Sequence, residues 1–144
     1  MHEDTLAHVD LFSGLDKKEL RLIANSCQER KFAAGAVMMK QGDTGAGLFV
    51  ITSGKAKITQ ATNPDRAEEN LGTAGPGDVL GEMALLDDLP RSATVTAVED
   101  TTVLLLPIWD FRTSLRSNPE IGVKLLTALS HRLRKAESHT HPRD

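Results

Sequence analysis

"PGDVLGEMALLDDLPRSATVTA", residues 76–97, breaks into a chain whose middle otherwise reads as short strands. Gly81 and Glu82 open it, and a short apolar run follows (Met83, Ala84, Leu85, Leu86). Then come Asp87, Asp88 and Pro90, and after them Arg91, Ser92 and Ala93. A helical turn starting near Glu82 points its first backbone N–H groups outward, which makes a local anion site. Gly81 has no side chain and lets a ligand come close, and the small Ala84 keeps that approach open. Arg91 returns from the far side of a loop stiffened by Pro90, and a guanidinium can grip two phosphate oxygens at once. The Glu82 carboxylate accepts hydrogen bonds and donates none, so it suits a hydroxyl and not a phosphate. An anion beside a hydroxyl describes a sugar phosphate. Asp87 and Asp88 would repel a polyphosphate, so a singly charged phosphodiester fits better. Taken alone, the Glu82/Arg91 pair reads better as a surface ion pair worth at most about 1 kcal/mol. The surrounding chain shifts the balance.

Upstream, "ERKFAAGAVMMKQGDTGAGLFVITSGKAKITQAT" (residues 29–62) is a series of short apolar runs separated by glycines. Gly35, Gly42, Gly45, Gly47 and Gly54 each mark a turn or bend. Phe32, Val37 to Met39, Leu48 to Ile51, Ala56 and Ile58 supply strand centres. "TNPDRAEEN" (62–70) reads as a polar hairpin tip, and "SATVTAVE" (92–99) and "TTVLLLP" (101–107) as two further strands. Such close spacing predicts an antiparallel sandwich or barrel. Both ends are helical. In "GLDKKELRLIAN" (14–25), Asp16 and Glu19 form a capping box, and Leu20, Ile23, Ala24 and Cys27 recur at helical spacing. Pro107 suits a first helical position, and Asn118-Pro119-Glu120 reads as a cap, a first-turn proline and a first-turn acid. Ile121, Leu125, Leu129 and Leu133 form an i, i+4 stripe. The expected tail, 137–144, is disordered.

Composition bounds the function. The chain has 144 residues with a net charge of −3, enough for one domain and without the basic excess of a nucleic-acid binder. One Trp, four Phe and no Tyr leave no aromatic platform for stacking bases. Lys124, Arg132, Arg134 and Lys135 read as a solvated helix face. The single Cys27 allows no internal disulfide and is expected in the core. The start is acidic and unlike a signal peptide, and no apolar run nears the roughly 18 residues of a membrane span. Cytoplasmic residence is the expectation, with no membrane and no direct nucleic-acid partner. No HExxH, GxSxG or P-loop occurs. His139 and His141 lack the carboxylate or cysteine support of a metal site. No catalytic residue, metal or cofactor is assigned, and the chain reads as a binder and not an enzyme.

Residues 76–97 resemble the phosphate-binding cassette of the cyclic nucleotide-binding domain family, of catabolite activator and protein kinase A regulatory subunit type. The resemblance extends through "FAAGAVMMKQGDTGAGLFVITSGKAKIT" (32–59) and "VLLLPIWDFRTSLRSNP" (103–119), and so covers nearly the whole chain. It implies a mainly β fold, an eight-stranded antiparallel β-roll flanked by α-helices. The N-terminal helices would occupy 1–26, the roll 27–106 with the cassette at 81–94, and the C-terminal helices 107–136. It implies that Glu82 takes the ribose 2′-hydroxyl beside the Gly81 backbone, and that Arg91 pairs with the cyclic phosphate. Backbone N–H groups of Ala84 and Ser92 would complete the phosphate shell. Met83 and Ala93 belong to the same cassette, and the Ser92 hydroxyl would reach phosphate or base. In cGMP-selective relatives Thr often stands where Ser92 does, and the expected ligand is cAMP over cGMP. Leu71, Val79, Leu129 and Arg132 are candidate base contacts, although ordinary packing explains the helix leucines better.

The resulting expectation is a cytoplasmic cyclic nucleotide receptor whose C-terminal helices respond to ligand and control a protein effector. A homodimer through Leu125, Leu129 and Leu133 is compatible with it. The alternatives are a nucleotide-independent interaction module, the sensor half of a truncated DNA-binding regulator, and a cyclic dinucleotide as ligand. If complete, the chain is a free-standing receptor domain.

Overall fold

The continuous apolar runs decide the centre of the architecture. In a computed structural model, which describes residues 2–45, 47–62, 67–87 and 90–140, eight strands form among the described residues. They are β1 (Gln28–Phe32), β2 (Val37–Met39), β3 (Gly47–Ser53), β4 (Ala56–Gln60), β5 (Glu69–Ala74), β6 (Val79–Leu80), β7 (Thr94–Ala97) and β8 (Thr101–Pro107). They build two four-stranded antiparallel sheets, ordered β1-β8-β3-β6 and β2-β7-β4-β5. This is the expected mainly β roll. Strands β3 and β8 pair along their length, with Leu48 opposite Leu106 and Val50 opposite Leu104. Both carry near-continuous apolar sequence because both of their faces are covered. Strand β7 instead alternates, with Val95 and Ala97 buried and Thr94 and Thr96 less so.

The chain divides into two compact units, residues 26–111 and residues 1–25 with 112–144. The core of the β unit joins Met38, Met39, Phe49, Ile51, Leu80, Val95 and Val103, with Phe32 packed against it. The Phe32 and Phe49 rings lie 6.0 Å apart at 46°, a tilted aromatic pair. On β5 the register slips: Ile58 faces Gly72 while Thr59 faces Asn70, so Leu71 is the extra residue of a bulge. Half-buried Cys27 is shielded from water, and burial pushes its thiol up to about 12.

The helical unit contains α1 (Glu3–Ala7), a 3-10 turn (Asp10–Phe12), α2 (Lys17–Ala24) and α4 (Pro119–Thr140); the division between units falls within α3 (Ile108–Ser117), after Phe111. The capping box of α2 forms as the sequence predicts. Asp16 Oδ1 accepts from the Glu19 N–H at 2.8 Å, and Glu19 Oε1 accepts from the Asp16 N–H at 2.9 Å. Glu19 Oε1 also receives Lys124 Nζ at 2.6 Å, tying α2 to α4 and raising the lysine's pKa. Asp16→Ala should therefore lower unfolding free energy by about 1 kcal/mol, measured by urea denaturation.

Three expectations need correction. Helix α4 continues through Thr140, so residues 137–140 are helical and not a disordered tail; Ala136 and Glu137 favour helix and the first breaker is Pro142. Residues 141–144 lie outside the described set. Pro107 closes β8 opposite Gly47, and the helix starts at Ile108. The stripe on α4 is divided: Ile121 and Leu125 are buried, Leu129 is half-buried, and Leu126 and Leu133 are exposed. Among the described residues, no helix is long and apolar enough to cross a membrane.

Candidate functional site

A cavity of about 410 Å³ opens in the β unit beside the stretch that interrupts the strands. That volume suits a small organic ligand, for which sites of about 300–1,000 Å³ are usual. Met39, Ile58, Leu80 and Val95 make its apolar wall. Gly81, Glu82 and Asp87 line one side, and Pro90, Arg91, Ser92 and Ala93 another. The Glu82–Leu85 segment is a single 3-10 turn, shorter than an α-helix. It follows β6, and the backbone enters it through Gly81 at φ +75°, a left-handed conformation that glycine adopts without steric cost.

Arg91 is the anchor of the site. Its residue is only 9% exposed, so the surface ion-pair reading does not hold. Its Nη2 donates to the Gly47 carbonyl at 2.6 Å, and its Nη1 donates to the Gly81 carbonyl at 3.4 Å. Burial lowers the guanidinium's pKa, because taking the cation from water disfavours the charged form. An anion arriving in the cavity would offset that cost. The guanidinium lies flat against Gly45, where a Cβ would overlap Cζ, Nη2 and Nε, and a Cβ on Gly81 would overlap Nη1.

The arm that carries Arg91 is stitched to the β2–β3 loop. The Arg91 N–H donates to the Asp43 carbonyl at 2.8 Å, and the Gly42 N–H donates to the Arg91 carbonyl at 2.9 Å. The Gln41 N–H donates to Thr94 Oγ1 at 3.0 Å, and Gln60 Nε2 donates to the Ser92 carbonyl at 2.9 Å.

Among the residues singled out in the sequence, Gly81, Glu82, Arg91, Ser92 and Ala93 share this cavity. Met83 and Ala84 carry the 3-10 turn, but their side chains lie outside the described set, as does Asp88. Leu71 and Val79 do not line the cavity. Leu71 is 51% exposed at the β5 bulge, and Val79 pairs with Val50 across β6 and β3. Leu129 and Arg132 lie on α4 in the helical unit, where Arg132 Nη2 stands 3.5 Å from Asp10 Oδ2. Sequence reasoning assigned Gly45 and Gly47 only to bends and gave Gln41 and Gln60 no role. The Gly-x-Gly before an apolar strand was the available signal for a close backbone approach; the glutamines offered none.

Known proteins resemble this chain in sequence and fold. A family described as "Cyclic nucleotide-binding domain" matches residues 29–118. The cyclic AMP receptor protein of Thermus thermophilus is 38% identical over 127 residues, covering 88% of this chain and 58% of that protein. The chain therefore spans less than two thirds of that relative's length. The N-terminal domain of a transcriptional regulator from Streptomyces coelicolor superposes with a TM-score of 0.81 at 36% identity, over 90% of this chain and 91% of that one. The regulatory domain of Toxoplasma gondii PKA, crystallised with cAMP, gives a TM-score of 0.75 at 25% identity, over 94% of this chain and 49% of that one. With the strand order, the cavity and the buried arginine in place, the chain belongs to the cyclic nucleotide-binding domain family.

Proposed function

We propose that this chain is a cAMP receptor, preferring cAMP to cGMP, and that nucleotide binding switches its C-terminal helices to control a protein effector. The observation that carries the reading is a buried arginine sharing one cavity with a glutamate and a serine. Arg91 takes the cyclic phosphate, with backbone N–H groups of Ala84 and Ser92 beside it. Glu82 accepts from the ribose 2′-hydroxyl, and Ser92 supplies a hydroxyl. Apolar Ile58, Leu80 and Val95 offer the rings a dry wall. Relatives named for cAMP, the Thermus receptor and the Toxoplasma regulatory domain, support the choice of base.

A switch from 1:99 to 99:1 needs a differential affinity of about 5.5 kcal/mol. Charge-assisted hydrogen bonds at Arg91 and Glu82, about 1.5–3 kcal/mol each, supply much of that if they form fully in one state only. The exposed Leu126 and Leu133, with half-buried Leu129 between them, give α4 a seam for a second copy. Leu125 is too buried to serve in it. Sedimentation would find a dimer that Leu126→Glu dissociates.

Calorimetry tests the receptor reading. One-site heat with cAMP, and weaker binding of cGMP and cyclic dinucleotides, is the expected result. Equal affinities would overturn the preference, and no heat with any of them at millimolar concentration would overturn the receptor.

A further inference from the structure

The segment that presents Arg91 to the cavity has no regular secondary structure until β7 begins at Thr94. Its backbone is secured at both ends. At Arg91 the N–H and carbonyl pair with Asp43 and Gly42. At Thr94 the chain enters the β4–β7 ladder opposite Thr59. Ser92 and Ala93 lie between these two anchors. A two-residue span in coil is free to rotate its peptide planes, and such rotation would turn the Ser92 side of the cavity. Gln60 bridges this span. It is the last residue of β4, and its Nε2 donates to the Ser92 carbonyl at 2.9 Å.

Gln60 is itself held. The next residue, Ala61, is gripped from both sides by the Gln41 side chain: Gln41 Nε2 donates to the Ala61 carbonyl at 2.8 Å, and the Ala61 N–H donates to Gln41 Oε1 at 2.9 Å. The Gln41 backbone N–H in turn donates to Thr94 Oγ1. The β2–β3 loop, the end of β4 and the Arg91–Thr94 arm thus close a ring of hydrogen bonds with the two glutamine amides as cross-links. A primary amide suits both places because it donates and accepts at one end of a flexible stem.

We propose that Gln60 is a positioning residue of the site, acting through the Ser92 carbonyl to hold the Arg91–Ala93 arm ready for a cyclic nucleotide. The proposal rests on the nucleotide reading above. Gln60 touches the arm and does not line the cavity, so its effect is one of preorganisation: a loose arm must be ordered at the moment of binding, and that cost weakens affinity.

The test is Gln60→Met, which keeps the stem and removes the donor. Loss of one hydrogen bond to a neutral carbonyl should weaken cAMP binding about three- to tenfold. Without ligand, amide hydrogen exchange at residues 92–94 should quicken while β3 and β8 stay protected. Gln60→Lys, which restores a donor to the Ser92 carbonyl, should recover part of that loss. Wild-type affinity in Gln60→Met, or unchanged exchange at 92–94, would overturn the proposal alone, provided the wild type binds. So would a Gln60→Lys variant that binds no better than Gln60→Met, which would mark Gln60 as a purely structural residue. A wild-type chain that binds no cyclic nucleotide would overturn the receptor reading and this proposal with it.

Discussion

Arg91→Ala should weaken cAMP binding by about 100-fold or more while the β unit stays folded. The affinity estimate follows from charge-assisted hydrogen bonds worth about 1.5–3 kcal/mol each; two of them on a phosphate amount to about 10²- to 10⁴-fold. The stability effect is smaller. Alanine leaves the Gly47 and Gly81 carbonyls without the guanidinium, but it also removes a buried cation whose desolvation is unfavourable. A net loss of about 1–3 kcal/mol is expected in urea denaturation. Arg91→Lys should fall between the two in affinity, since an ammonium cannot reproduce the planar fork that reaches two carbonyls and an anion together. Wild-type affinity in Arg91→Ala would show that the phosphate sits elsewhere.

Gly45→Ala should produce a large loss of affinity from a single added methyl. No strained backbone is involved, so the substitution adds little conformational cost of its own. The effect comes from space: the new Cβ would occupy the volume of the Arg91 guanidinium. The guanidinium must shift off this surface, and one of its contacts to the phosphate is lost. Displacing one charge-assisted contact weakens cAMP binding by about 10- to 150-fold, with thermal stability changed by no more than a few degrees. Calorimetry and thermal denaturation on the same sample check both halves. Unchanged affinity would mean that the guanidinium does not need the Gly45 surface to serve the ligand.

These two residues also mark what the sequence makes legible. Arg91 stood out because it follows a proline-stiffened loop and closes a segment opened by Gly-Glu, a local pattern. The strands were legible for the same reason: β3 and β8 are unbroken apolar runs, and the glycines between strands punctuate them. The α2 capping box lies within four residues, Asp16 to Glu19. What escaped depends on contacts between distant segments. Gly45 matters because the arginine, far along the chain, comes to lie on it. Gln60 matters because β4 pairs with β7 and brings it under Ser92. Leu71 is a candidate base contact in the sequence; a one-residue bulge in β5 leaves it exposed, and it does not line the cavity. On α4, periodicity marked a stripe but could not say which leucines would be covered, and Leu125 and Leu126 differ by one position and by nearly complete burial against exposure.

The central claim is that a cyclic phosphate is held by Arg91 while its ribose is held by Glu82. A crystal structure of the chain grown with cAMP measures this most directly. The account predicts nucleotide density in the cavity, with the Arg91 guanidinium within hydrogen-bond distance of the phosphate and a Glu82 oxygen on the 2′-hydroxyl. Nucleotide bound outside the cavity, with Arg91 still spent on the Gly47 and Gly81 carbonyls alone, would contradict it.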